Sequence, residues 1–228
     1  IKFFEIFHNK FFMLNKNNIL IKNKILTYYK NYKRKLPWRT KNDNNQDPYL
    51  TLISEIMLQQ TQVNTVLDYY KRFTKKWPNL ESLASANIED VLTLWSGLGY
   101  YSRARNLLKT AKIIKKKFNG IIPDKFEQLL SLPGIGEYTA SAIMSFAFGK
   151  DRVVIDTNIK RFIIRINGLQ NISKIEKNEI NRLGLILFYK TNFGKFAQAI
   201  MDFSSDICTK KNPSCSKCFL SKNCKFEK

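Results

Sequence analysis

Apolar residues recur at helical spacing along almost the whole chain. From Leu52 onward, Ile53, Ile56, Met57, Val63, Val66, Leu67 and Tyr70 follow steps of three and four, the spacing that lines one face of an α-helix. This predicts a long, largely buried helix interrupted by the polar run Gln59-Gln60-Thr61-Gln62. Val91, Leu92, Leu94 and Trp95 mark a later helix, as do Ile159, Phe162, Ile163 and Ile166, and then Phe193, Phe196, Ile200 and Phe203. Strand-like alternation is scarce and no internal repeat is visible, so the pattern predicts an all-α protein. The helices are separated by a polar loop at Asp43–Pro48, a turn at Gly97–Gly99 and a break at Gly120–Pro123. The sharpest punctuation is Leu132-Pro133-Gly134-Ile135-Gly136. Two glycines there permit a tight hairpin whose backbone amides can face a phosphate at the start of the next helix. Thr139, Ala140, Ser141 and Ala142 give that helix a small-residue face, which predicts close packing against the helix before it.

Composition narrows the class of partner. With 228 residues and 44% hydrophobic content the chain can build a sizeable core without disulfides. Lysine and arginine outnumber aspartate and glutamate 39 to 18, a net charge of +21, which favours a polyanion through counterion release. An A+T-rich drift in composition, visible in the abundance of Lys, Asn, Ile and Phe, is a second source of that charge. No apolar run approaches the roughly 20 residues of a membrane helix. The N-terminal stretch is interrupted by Lys2, Glu5, His8 and Lys10 and has no secretory core. A cytoplasmic protein with no membrane partner is expected. The first methionine is Met13, and residues 1–13 are expected to be an extension outside the folded unit.

Three groups of residues carry candidate chemistry. All four cysteines fall near the C-terminus as Cys208, Cys215, Cys218 and Cys224, spaced C-x6-C-x2-C-x5-C. Thiolates gathered so closely in a chain with no export signal point to metal ligation. The uneven spacing suits a four-thiolate iron-sulfur cluster, with zinc as the alternative it leaves open. Lys210, Lys211, Lys217, Lys222 and Lys225 surround these ligands and could face a phosphate backbone. Glu55 lies between Leu52 and Leu58 on an apolar helix, where partial desolvation is expected to raise its pKa and suit it to general-acid work. The bland reading is an exposed glutamate on an amphipathic helix. Asp156 follows Val153-Val154-Ile155 and precedes the helix of Ile159 and Phe162, the place of an N-cap. A capping carboxylate is held rigidly and keeps its charge available to a developing cation.

Taken in order, these segments resemble the helix-hairpin-helix DNA glycosylases of the endonuclease III superfamily, and within them the MutY-type adenine glycosylases. The match runs from about Leu36 to Cys224 through Leu36-Pro37-Trp38-Arg39, the run Ser54 to Val63, the run Gly97 to Leu107, Leu132 to Gly136, Ile155-Asp156-Thr157-Asn158 and the four cysteines. The resemblance implies acid-promoted cleavage of the bond between adenine and deoxyribose. Glu55 would protonate the adenine ring and Asp156 would stabilise the oxocarbenium-like sugar, a two-carboxylate logic shared with glycosidases. Tyr138 and Asn158 would position these groups. Trp38, Arg39 and Leu58 would receive the extruded base, Gln60 and Tyr100 would wedge into the duplex, and Gly134 and Gly136 would hold a phosphate. The resemblance also implies one [4Fe-4S] cluster on Cys208, Cys215, Cys218 and Cys224.

Position 138 discriminates within the family, because the endonuclease III branch has a nucleophilic lysine two residues after the second hairpin glycine and cuts the strand by Schiff-base chemistry. Tyrosine there implies a monofunctional reaction. Two departures stand out. The chain stops at Lys228, so the further Nudix-like domain of MutY-type enzymes, which recognises 8-oxoguanine, is expected to be absent. Thr157 stands where the closest relatives have glycine. The expected architecture is two lobes: residues 14–39 with 152–228 around the cluster, and a helical barrel over 40–151 containing the hairpin at 132–136, with the active site between them. The implied partner is double-stranded DNA with adenine mispaired with guanine or 8-oxoguanine, met by a monomer at the bacterial nucleoid. Two alternatives remain: a bifunctional glycosylase for oxidised pyrimidines, and a catalytically inactive iron-sulfur DNA-binding protein.

Overall fold

The computed structural model describes residues 16–39, 46–170 and 175–226, and every regular element among them is helical. The expected extension at residues 1–13, and the first half of the polar loop at Asp43–Pro48, lie outside the described residues. The chain divides into two units, one formed by the segment ending at Arg34 together with the segment from Val153 onward, the other by Lys35–Arg152.

In the Lys35–Arg152 unit the apolar periodicity becomes helices α2 (Pro48–Leu58), α3 (Val63–Lys76), α4 (Leu80–Ala84), α5 (Ile88–Trp95), α6 (Ser102–Lys117), α7 (Phe126–Leu130) and α8 (Glu137–Phe146). Their starts follow capping rules. Asp47 accepts a hydrogen bond from the Leu50 amide with Pro48 at the first helical position, and Asn79 and Asn87 cap α4 and α5. The glutamine run is a full break between α2 and α3, because Gln59 leaves helical dihedrals and Gln60 sits at φ +57°. The core gathers Leu52, Ile53, Ile56 and Met57 of α2 with Phe73, Trp77 and Trp95. Phe73 meets both tryptophans edge-on, at centroid distances of 4.7 and 6.0 Å. The small face of α8 is buried at Thr139, Ala140 and Ala142 and packs on α2 as well as on the preceding α7.

The other unit contains α1 (Lys16–Tyr32), α9 (Thr157–Asn167), α10 (Lys177–Phe188) and α11 (Phe193–Asp206), followed by a 3-10 turn at Cys215–Lys217. Val153-Val154-Ile155 has no regular structure and pairs with no strand among the described residues. It packs instead on α10, where a Cβ at Gly184 would come within 3.0 Å of Val153 Cγ1 and 3.3 Å of Ile155 Cδ1. Helix α11 is the centre, packed against α1 and α9. Phe203 meets Tyr28, Phe162 and Phe219 at 5.8, 5.8 and 5.1 Å. Asp202, almost fully buried, accepts hydrogen bonds from the Arg34 amide and from Arg34 Nε at 3.0 and 2.6 Å.

Because Phe73 has no exposed surface and touches two tryptophans, Phe73→Ala leaves a cavity that neighbouring helices cannot close. It is expected to cost about 3–5 kcal/mol in urea unfolding with an unchanged denaturant slope. A loss below about 1 kcal/mol would show that the site collapses.

Candidate active site

In the Lys35–Arg152 unit, Glu55 faces inward from the last turns of α2 with only 6% of its surface exposed. This excludes the bland reading of a solvent-facing glutamate. Its helix neighbours Ile53, Ile56 and Met57 are at most 1% exposed. Trp38 is buried edge-on against Tyr70 at 5.2 Å. Arg39 and Leu58 are half-buried, and the Arg39 amide closes the Leu36–Arg39 turn by donating to the Leu36 carbonyl at 3.0 Å.

Gln60 and Tyr100 lie in separate loops yet share an uncommon backbone state: φ is +57° and +49°. Side-chain-bearing residues in this region cost about 1–3 kcal/mol each. Both are exposed. Beneath them Arg103, 7% exposed, spends its guanidinium on carbonyls from both loops. Nη1 donates to Ile56, Met57 and Gln59 at 3.2, 2.7 and 2.5 Å, and Nη2 donates to Leu98 and Gly99 at 3.3 and 3.1 Å. Burial pulls its pKa below the ordinary value, but an arginine keeps its charge at neutral pH. Gln59 in turn donates from Nε2 to the Gly134 carbonyl at 3.1 Å and to Thr139 Oγ1 at 3.2 Å, joining this turn to the hairpin.

The hairpin needs its first glycine for two reasons. Gly134 has φ +76°, and a Cβ there would lie 3.0 Å from Asn106 Cβ. A Cβ at Gly136 would meet nothing within 4 Å, so what that position leaves open is approach from outside. Gly136 is also the N-cap of α8 and supplies no side-chain cap. First-turn amides left in this way suit an anion. Tyr138 is half-buried in the first turn of the same helix.

In the other unit, Asp156 caps α9 by accepting from the Ile159 amide at 2.7 Å, while its second oxygen accepts from Asn158 Nδ2 at 2.7 Å. Burial pushes its pKa above the ordinary carboxylate value, and the Ile159 and Asn158 hydrogen bonds with the Arg161 charge oppose the shift. Arg161 continues the chain of bonds. It donates to Asn158 Oδ1 at 2.8 Å, to the Ser204 carbonyl at 2.9 Å and to the Cys208 carbonyl at 2.9 Å. One helical turn later, Arg165 donates to the Thr209 carbonyl at 2.7 Å and to Cys208 Sγ at 3.3 Å.

All four cysteines are free, half-buried and line one cavity walled by Phe162, Phe203, Ile207 and Leu220. The Leu220 amide donates to Cys218 Sγ at 3.4 Å, and Lys24 of α1 ties down the loop through the Phe219 carbonyl and Asn223. The four thiols, with the Leu220 amide on Cys218 Sγ and the Arg165 guanidinium on Cys208 Sγ, form a donor set that fits an iron-sulfur cluster. The five flanking lysines, at 210, 211, 217, 222 and 225, are exposed. No described helix is long and apolar enough to cross a membrane.

Sequence reasoning missed the arginines. Arg161 and Arg165 are spaced four apart on α9, and Arg103 holds a core position in the buried series Arg103, Leu107, Thr110, Ala111 and Ile114 of α6. A cation at an apolar heptad place was the available signal. For Asp156 the linkage has a definite sign. A folded pKa above the unfolded value makes the ionised form the costly one, so this group's contribution falls as pH rises through the interval between the two values. The stability of the native protein minus that of Asp156→Asn is therefore expected to decrease from pH 3 towards pH 7 in urea titrations. A pH-independent difference would contradict the burial effect.

Comparison with known proteins matches these features to one family. The model of the HhH-GPD superfamily of base excision DNA repair proteins matches residues 53–184. An adenine DNA glycosylase of Buchnera aphidicola subsp. Baizongia pistaciae (strain Bp) is 48% identical over 204 residues, covering 88% of this chain and 56% of the relative. The adenine DNA glycosylase of Mus musculus is 42% identical over 208 residues, covering 88% of this chain and 40% of the relative. The chain thus spans about half the length of these relatives. Among solved structures, a thermostable thymine-DNA glycosylase superposes with a TM-score of 0.83 at 30% identity, covering 93% of this chain and 97% of that one. With the hairpin, the helical architecture and the ordered matches in agreement, the chain belongs to the HhH-GPD superfamily of base excision DNA repair proteins.

Proposed function

We propose that this protein is a monofunctional adenine DNA glycosylase, hydrolysing the N-glycosidic bond of adenine mispaired with guanine or 8-oxoguanine in duplex DNA. The observation that carries the reading is the pair of carboxylates in contrasting surroundings. Glu55 is buried on an apolar helix, and Asp156 is pinned at a helix N-terminus by two short hydrogen bonds. A buried acid suits proton delivery and a hydrogen-bonded carboxylate suits charge stabilisation. Glu55 donates its proton to the adenine ring, so the base departs neutral as the glycosidic bond breaks. Asp156 stabilises the cationic sugar until water adds at the anomeric carbon, and the proton released by that water restores the acid. Asn158 fixes the Asp156 oxygen, Tyr138 takes the place of the lysine that would trap the sugar, and Trp38, Arg39 and Leu58 form the base pocket. Support for adenine comes from the relatives of that name.

The thymine-DNA glycosylase neighbour favours a second reading, removal of thymine, at its lower identity of 30%. One assay separates the readings. Duplexes with adenine opposite guanine, adenine opposite 8-oxoguanine, thymine opposite guanine, and thymine glycol are incubated with the protein, with and without alkali. Adenine release that needs alkali to reveal the break is the expected result. Thymine release alone, or strand cutting of thymine glycol without alkali, overturns it, and binding without release identifies an inactive DNA-binding protein. In the same assay Glu55→Gln is expected to abolish release with duplex affinity kept within about threefold. Unchanged turnover would remove Glu55 from the mechanism.

The same reading assigns Cys208, Cys215, Cys218 and Cys224 to one [4Fe-4S] cluster, which when bound cross-links the loop carrying the exposed lysines and has no part in the hydrolysis. Purified protein is expected to hold about four iron and four sulfide per chain, and stripping the metal is expected to weaken duplex binding before it slows single-turnover hydrolysis of bound substrate. Stoichiometric zinc in place of iron would overturn the assignment.

A further inference from the structure

Arg103 has no role in the reaction so far described, yet its terminal nitrogens are heavily engaged. Its two terminal nitrogens hold five carbonyls, three at the end of α2 and two in the Leu98–Gly99 turn. No carboxylate faces it among the described residues, and Nε is buried without a partner. A guanidinium placed for electrostatics alone would sit beside an acid. This one is placed to gather main-chain oxygens from two loops.

The two loops are not arbitrary. The carbonyls of Gln59 and Gly99 belong to the peptide groups directly before Gln60 and Tyr100, whose φ values are +57° and +49°. Arg103 therefore grips the peptide that leads into each left-handed residue, and the guanidinium also lies 5.3 Å from the Tyr100 ring. Neither turn is glycine at that point, so neither conformation is intrinsically favoured. Each loop also has an anchor of its own, since Trp95 Nε1 donates to the Gly99 carbonyl at 3.1 Å and Thr61 Oγ1 to the Gln59 carbonyl at 3.3 Å, but Arg103 is bonded to both loops at once and so ties the position of one exposed side chain to that of the other.

We propose that Arg103 is a positioning residue that joins Gln60 and Tyr100 into one two-pronged wedge, so that base unstacking in the duplex requires both prongs at the separation this guanidinium sets. The inference rests on the reading of those two side chains as duplex wedges, and it concerns opening of the stack rather than bond cleavage. A fork of five donors in fixed geometry can bridge two loops, whereas the compact ammonium of lysine cannot.

The test is a duplex carrying 2-aminopurine beside the mispaired adenine, whose fluorescence rises when the stack opens, with adenine release followed on the same duplex. Arg103→Met and Arg103→Lys are each compared with the native protein, and Arg103→Met is also combined with Gln60→Ala and Tyr100→Ala. Both single variants are expected to lower the unstacking constant by on the order of ten- to a hundredfold, with affinity for fully paired duplex changed by less than about threefold. In the background lacking both prongs, Arg103→Met is expected to add less than about twofold, since residues acting as one device are not additive. Unstacking by a folded Arg103→Lys variant at the native level overturns the proposal, as does a full additional loss in the prongless background, or a native protein that never opens the stack. If Arg103→Met does not fold, Arg103→Lys decides alone. A native protein that opens the stack but releases no adenine retires the adenine reading and leaves the role of Arg103 standing.

Discussion

A cation taken out of water must be met by charge or by oriented dipoles, and Arg103 is met by dipoles. The end of α2 offers carbonyls that have no partner within the helix, and the macrodipole makes that end negative. Placing a guanidinium there satisfies donor and acceptors together, which is why an arginine is stable at a position the α6 pattern reserves for apolar residues. The consequence reaches outward. Gln59, held by the same cation through its carbonyl, uses its side chain to bond the hairpin at Gly134 and Thr139. Three surface turns are thereby referred to one buried atom group, and Glu55 lies on the helix whose end that group caps.

The second unit repeats this economy with different parts. Arg161 and Arg165 on α9 take carbonyls from the loop that begins at Cys208, while Arg161 also orders Asn158, which orders Asp156. A carboxylate half-buried at a helix start would by burial alone prefer to be neutral. The hydrogen bonds from Ile159 and Asn158 and the Arg161 charge work against that preference. On the proposed mechanism this is what the reaction asks of Asp156, since a protonated group offers nothing to a cationic sugar.

Much of this was legible in the residues. Period-3.6 patterning gave the helices because burying one face leaves a direct record in residue type, and Asp156 was recognisable as a cap because capping is a local contract between neighbours. The glycine pair announced the hairpin for the same reason. What stayed hidden was non-local. Nothing local to Ser102-Arg103-Ala104 says that the arginine turns inward to carbonyls at residues 56 to 59, and nothing in the glutamine run says that Gln59 faces a hairpin 75 residues away. Such contacts are settled by packing, where hydrogen-bond satisfaction of buried groups outweighs the usual surface preference of the side chain.

The strong positive charge plays a different part from these buried arginines. Exposed lysines around the cysteine loop contact solvent on the described structure, and any phosphates they meet carry no sequence information. Their contribution is affinity that declines steeply with salt, so discrimination of one base from another has to arise elsewhere. On the proposed reading it arises in the base pocket of Trp38, Arg39 and Leu58 beside the buried Glu55, where leaving a polar edge of the wrong base unpaired costs far more than a phosphate contact returns. On that reading, searching is separated from choosing by solvation, with hydrated cations for the first and desolvated side chains for the second.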